Sequence, residues 1–262
     1  MKLIDSHCHL NYEGLAERQT EVLDAARAAG VTGFLNISTR QREWGDVIAV
    51  AEANDDVWAT VGVHPHEADA HPDLGVEALT DAASHQRVIA IGECGLDYFY
   101  DKSDRQAQRT RFEAHIDAAR QTGLPLVVHT REAEDDTAEI LSAAVREGGV
   151  IGVLHCFTGS AALARKGLDL GFYVSLSGIV TFKNAQDLQA IAKWLPAGQM
   201  LVETDSPFLA PVPHRGQKCE PAFVADTASF VAELRGENPE QLAETTTANF
   251  FKLFKKAQGK SA

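Results

Sequence analysis

The chain has 262 residues, 45% hydrophobic and 23% charged, with 24 Lys and Arg against 37 Asp and Glu for a formal net charge of −13. That length suits one large α/β barrel or two ordinary domains, and no apolar stretch approaches the ~20 residues of a membrane span. The acidic balance argues against broad, non-specific attachment to nucleic acid, which favours basic surfaces, although bound divalent cations can reverse the sign of a pocket. Cys8, Cys94, Cys156 and Cys219 include no Cys-x-x-Cys pair, so neither a zinc ribbon nor a redox dithiol is indicated. With no export signal ahead of the first strand, the cysteines point to a reducing, cytoplasmic setting.

In chain order, apolar runs alternate with amphipathic stretches. A strand over 2–6 ends on Asp5-Ser6-His7-Cys8-His9, and a helix over 17–29 follows. Next come a strand over 33–37, a helix over 42–53, and a strand over 57–63 that ends in Gly62-Val63-His64-Pro65-His66. A helix over 75–85 precedes the strand over 88–91, which runs into Gly92-Glu93, and Asp97-Tyr98-Phe99-Tyr100-Asp101 then supplies aromatics for a pocket mouth. Helices over 105–121, 135–147, 161–170 and 185–194 alternate with strands over 124–128, 150–154, 173–176 and 200–202. The first two of those strands lead into His129 and His155, and the last into Glu203-Thr204-Asp205. Helices over 221–234 and 239–254 close the pattern, and Gly259-Lys260-Ser261-Ala262 is expected to fray. Gly30, Gly123, Gly148 and Gly171 follow helices, where a left-handed residue is wanted. Eight strands alternating with helices predict a (β/α)8 TIM barrel, a single domain over 1–262. No G-x-G-x-x-G follows the first strand and no Walker loop is present, so a nucleotide cofactor is disfavoured.

Two imidazoles two residues apart on a strand share one side, and neutral imidazole is the commonest metal ligand. A lone His-x-His is weak, but five strand ends carrying a His or an acid are hard to explain as satisfied core polar residues. All five lie at the C-terminal ends, where barrel enzymes place their chemistry. His7, His9, Glu93, His129, His155 and Asp205 give four imidazoles and two carboxylates, enough for two divalent cations. Mixed His and carboxylate ligation suits zinc, magnesium, manganese or iron without choosing among them, and a closed structural zinc site is usually richer in thiolate. Strand parity turns Cys8, Cys94 and Cys156 away from the lumen, as small buried hydrophobes. His64, Arg131, Arg215, Glu203 and Tyr98 are candidate substrate contacts, the arginines because guanidinium matches phosphate oxygens. His71, His85 and His115 read as structural.

Five ordered segments resemble the TatD family of metal-dependent hydrolases: Asp5-Ser6-His7-Cys8-His9-Leu10, Gly62-Val63-His64-Pro65-His66, Ile91-Gly92-Glu93-Cys94-Gly95-Leu96-Asp97-Tyr98, His155-Cys156-Phe157-Thr158-Gly159 and Glu203-Thr204-Asp205-Ser206-Pro207. The resemblance implies an amidohydrolase-like barrel and a two-metal phosphodiesterase, a 3′–5′ exonuclease on DNA and RNA, with a free 3′ end as substrate. No obligate protein partner is evident in the sequence. The resemblance also implies that His7, His9 and Asp205 hold one ion, that His129 and His155 hold the other, and that Glu93 bridges them. Asp205 and Glu93 then carry the catalysis. The family's Arg-Gly-Lys and Asn-Glu-Pro appear here as Arg215-Gly216-Gln217-Lys218-Cys219-Glu220-Pro221, with the Lys displaced and Cys219 in place of Asn. Two alternatives remain. The first is a barrel hydrolase of a small ester, lactone or amide; several of these bridge their ions with a carbamylated Lys, where this chain has Glu93. The second is a binding barrel without catalysis, which would leave buried acids and imidazoles uncompensated.

Overall fold

The structure is a computed structural model and describes residues 1–258; the tail expected to fray lies outside the described residues. Short runs of aliphatic and β-branched residues form β1 (Leu3–Cys8), β2 (Val31–Asn36), β3 (Val57–Val61), β4 (Val88–Asp97), β5 (Leu126–Arg131), β6 (Gly152–Leu154), β7 (Tyr173–Leu176) and β8 (Met200–Val202). They pair in parallel in chain order. The ring closes just beyond β8, where Cys8 bridges Ser206, the His9 N–H donates to the Ser206 carbonyl (2.8 Å), and the Asp205 N–H donates to the His7 carbonyl (2.9 Å). This is the expected (β/α)8 barrel.

The helices among the described residues are α1 (Gln19–Ala28), α2 (Trp44–Ala53), α3 (Val76–Ala83), α4 (Arg105–Thr122), α5 (Glu134–Gly148), α6 (Ala161–Asp169), α7 (Gln186–Trp194), α8 (Val224–Arg235) and α9 (Pro239–Leu253). None is long and apolar enough to cross a membrane. Gly30, Gly123 and Gly171 take the left-handed conformation expected after a helix, at φ 94°, 70° and 86°. Gly148 does not: it is the last residue of α5, and Gly149, at φ 64°, makes the turn. The final expected pair of helices also shifts, because Pro221–Phe223 forms a separate 3-10 turn before α8 begins.

Two apolar layers follow from strand alternation. Leu3, Phe34, Val57, Val88, Leu126, Leu154, Val174 and Val202 face the helices. Ile4, Leu35, Trp58, Ile89, Val127, Val153, Tyr173 and Leu201 fill the barrel interior together with Phe250, Leu253 and Phe254 of the C-terminal segment. Helix α9 therefore plugs the base of the barrel, leaving the opposite end for chemistry.

The alternation breaks in several places, and two of the breaks set the site. Leu3 and Cys8 both face the helices although they are five residues apart, because Asp5–Cys8 of β1 span only Phe34–Asn36 of β2. Ile91 and Cys94 both face the helices, because Ile91–Cys94 of β4 span Leu126–Val128 of β5. Each is one extra residue, a β-bulge. Each turns the residue just before the cysteine, His7 or Glu93, toward the lumen. Continued pairing of residues 94–97 with 128–131 also carries β4 to Asp97, well past the expected end at 91.

Candidate metal centre

The C-terminal ends of β1, β4, β5, β6 and β8 bring the six expected ligands together; His9, Glu93, His129, His155 and Asp205 line a cavity of about 1270 Å³, and His7 is buried beside them. His7, His9 and Asp205 form one group: His7 Nε2 lies 3.3 Å from His9 Nε2, and Asp205 Oδ1 lies 3.5 Å from His7 Nε2 and 3.3 Å from His9 Nε2. Glu93 is two-sided. Its Oε2 faces that group, 3.5 Å from His7 Nε2 and 4.0 Å from His9 Nε2. Its Oε1 faces His155 Nε2 at 2.8 Å, His129 Nδ1 at 3.2 Å and His64 Nε2 at 3.3 Å.

Neighbouring side chains fix which imidazole nitrogen faces inward. Asp97, fully buried, places Oδ2 3.0 Å from His129 Nε2 and 2.8 Å from His66 Nε2, and its Oδ1 accepts the backbone N–H groups of Phe99 and Tyr100. Glu203 Oε1 accepts the Cys156 N–H at 2.7 Å and lies 3.3 Å from His155 Nδ1. Each carboxylate holds the far nitrogen and leaves the near one aimed at Glu93, an arrangement that orients ligand histidines. His64 differs. Its Nδ1 accepts the His66 N–H at 3.0 Å, so the proton sits on Nε2, which makes it a donor rather than a ligand.

The donor set fits divalent ions. His155 Nε2, aimed at Glu93, is buried without a hydrogen-bond partner and lies 2.8 Å from Glu93 without hydrogen-bond geometry. Buried polar atoms left unpaired in this way are costly. Burial opposes the charged form of Glu93, but His155, His64 and His129 outweigh it and hold the carboxyl well below the usual carboxylate range. Asp205 follows the same logic: burial raises it, while His9 and His7 bring it below its ordinary value. Asp5, beneath the site, behaves oppositely. It accepts from the Thr204 hydroxyl and N–H, yet burial pushes it up to about 8.

The expected substrate contacts divide. His64, Tyr98 and Arg131 line the cavity. The Tyr98 hydroxyl donates to Asp136 Oδ2 at 2.5 Å. Glu203 is fully buried behind His155, and Arg215 stacks on Phe182 at 3.8 Å, away from the cavity lining. Cys8 and Cys94 face the helices, as parity requires. Cys156 does not: it lies past the end of β6 at φ 42°, lines the cavity, and places Sγ 3.2 Å from Ser177 Oγ. Alternation holds only within the strand, so it has no authority there. Sequence reading missed Asp97 as the partner of His129. Its place four residues after Glu93, on the same side of a strand, was the available signal.

A family profile described as TatD related DNase matches residues 4–255. The chain belongs to the TatD family of metal-dependent hydrolases. It is 44% identical over 258 residues to a protein of Escherichia coli strain K12 described as the uncharacterized metal-dependent hydrolase YcfH, covering 97% of this chain and 96% of the relative. It is 33% identical to a Klebsiella pneumoniae protein named 3′-5′ ssDNA/RNA exonuclease TatD, with 96% and 97% covered. Among solved structures, the TatD homologue YJJV of Escherichia coli K12 superposes with a TM-score of 0.91 at 28% identity, covering 97% of this chain and 98% of that one. These TatD relatives match over nearly the whole chain, from the His7 segment to the end of α9.

Proposed function

We propose that the chain is a two-metal phosphodiesterase that removes nucleotides from the free 3′ end of single-stranded DNA or RNA, in the cytoplasm. The observation that carries this reading is the two-sided Glu93, whose oxygens face His7 and His9 on one side and His129 and His155 on the other. Zinc, magnesium or manganese fits such a donor set. His7, His9 and Asp205 would hold one ion, His129 and His155 the other, with Glu93 shared. When bound, the ions would supply Lewis acidity toward water and toward the phosphoryl oxygens.

The side chains do the rest. Asp205, anionic and open to the cavity, accepts the proton of the attacking water. His64 is pushed down to about 4 by burial, so at neutral pH it is an uncharged donor through Nε2 to a phosphoryl oxygen. Arg131, at the end of β5, meets a backbone phosphate at the mouth. Asp97 and Glu203 keep His129 and His155 in their tautomers. The name of the Klebsiella relative supports the same substrate class.

The test is a 5′-labelled single strand with a free 3′ end, incubated with the metal-loaded protein. Stepwise shortening with release of mononucleotides is expected, chelation should stop it, and Asp205→Asn should lower kcat by orders of magnitude. Equal cutting of a circular strand would rule out the exonuclease mode. Turnover of a lactone or amide without cleavage of any nucleic acid would move the assignment to a small-molecule hydrolase.

A further inference from the structure

We propose that the cavity rim carries two base-stacking platforms, Phe208 on one side and the Phe99–Tyr100 pair on the other, which hold the nucleotides flanking the scissile phosphate of a single strand. The inference rests on the phosphodiesterase reading and adds the subsites that reading lacks. Among the described residues, the exposed large apolar side chains are Met1, Phe99, Tyr100, Ile151, Phe208 and Val212. The aromatic ones, Phe99 at 53%, Tyr100 at 51% and Phe208 at 49% exposure, all sit at this mouth. Tyr100 and Phe208 line the cavity, and the Phe99 ring lies 4.8 Å from that of Tyr100. Aromatic surface left in water beside a polar cleft marks a contact site.

Their placement is specific. Phe208 follows β8 and Phe99–Tyr100 follow β4, so in a ring of eight strands they face each other across the opening. The Phe208 ring centroid is 6.3 Å from that of His9, beside the His7–His9–Asp205 group. The Tyr100 centroid is 5.4 Å from that of His66, beside Asp97 and His129. A phosphate over Glu93 therefore has one platform on each side, and the bases of a dinucleotide point to either side of the phosphate that joins them.

Charge gives the same direction. The Arg131 guanidinium lies over Phe99 at 4.0 Å and over Tyr100 at 4.8 Å, and Lys102 Nζ is 5.4 Å from the Tyr100 ring. Neither cation has a carboxylate partner among the described residues, whereas Arg40 and Arg105, also at the mouth, are paired with Glu43, Glu67 and Asp101. Unpaired positive charge thus accompanies the Phe99–Tyr100 platform and suits the next backbone phosphate. Glu132 and Asp135 also line the cavity, so charge alone gives little grip on a polyanion and stacking must supply most of it. Stacking on protein needs bases that are not stacked in a duplex, which selects a single strand.

The experiment is fluorescence anisotropy with a cleavage-resistant, phosphorothioate-linked single strand labelled at its 5′ end, added to the metal-loaded protein. Phe208→Ala and the double variant Phe99→Ala/Tyr100→Ala should each raise Kd about ten-fold. Phe208→Leu and Tyr100→Leu keep apolar bulk without the flat ring and should show the same loss, which guards against a folding defect. Ile151→Ala, at the opposite end of the barrel, should bind like the wild type. Replacing the matching base by an abasic spacer should cost the wild type affinity but cost the platform variant nothing further. If the wild type binds the strand and the platform variants bind equally well, the platforms are refuted and the phosphodiesterase reading stands. If the wild type binds no single strand while hydrolysing a small ester, both fall.

Discussion

Glu93 is the residue on which both halves of the site depend. On the proposed two-ion reading, Glu93→Gln, which keeps its shape and removes its charge, should lower bound metal measured by elemental analysis from two ions per chain toward none. His9→Ala, which touches one group only, should leave one ion. Asp97 acts one step further out, because its Oδ2 holds His129 Nε2. Asp97→Asn should weaken divalent-ion binding by about ten- to hundred-fold in calorimetric titration, with the circular dichroism spectrum unchanged. His115 shows the opposite use of an imidazole. It is buried away from the cavity, its Nε2 accepts the Val63 N–H at 2.9 Å, and burial lowers it to about 4. In the unfolded chain a histidine binds its proton below about 6.5, while folded His115 stays neutral until about 4. Its contribution is therefore complete above pH 6.5 and is lost as the pH falls from 6.5 to 4. His115→Gln still accepts the Val63 N–H but does not titrate. The stability gap between wild type and variant should narrow over that window by up to about 3 kcal/mol, as read from denaturant unfolding at several pH values.

At the scale of elements, α9 and the eight strands share one apolar cluster, with Phe250 fully buried between Trp58 and Phe254 at ring-centroid distances of 5.4 and 4.7 Å. Phe250→Ala removes the largest part of that plug. It should cost about 3–5 kcal/mol and lower Tm by roughly 10 °C in calorimetry, with metal content unchanged because the plug lies at the end opposite the ligands. The strand and helix candidates were legible because their apolar residues repeat at two and at 3.6. Their ends were less so. β4 runs to Asp97 because residues 94–97 find partners on β5, and neither Gly95 nor Asp97 has the composition of a strand. Gly95 shows why a glycine is there: it has φ 129°, and a Cβ would lie 2.0 Å from the His129 carbonyl oxygen.

At the scale of the molecule, the proposed nucleic-acid substrate would be a polyanion meeting an acidic chain. With a net charge of −13 and few unpaired cations at the mouth, the protein should neutralise only about two or three phosphates. The slope of log Kd-derived affinity against log salt for a single strand should then be shallow, on the order of −1 to −2, in an anisotropy titration at constant divalent ion. A slope several times steeper would mean a basic track that the cavity lining does not contain. Association would then depend on a footprint outside the cavity.

The sequence by itself determined the barrel, because eight apolar runs alternating with amphipathic helices bury their faces in few other ways. It also pointed to a metal site, because six His and acid side chains at strand ends have few other uses. Tertiary structure decided which way those side chains point. Counted by strict alternation from Ile4, His7 would face the helices, and counted from Ile91, so would Glu93. One extra residue in β1 and one in β4 reverse both. A bulge is a mismatch in length between two paired strands, so it exists only once the partner strand is in place, and no periodicity within one segment records it. The same holds for Asp97 and Glu203. Their hold on His129 and His155 joins β4 to β5 and β8 to β6, contacts that the closed ring creates.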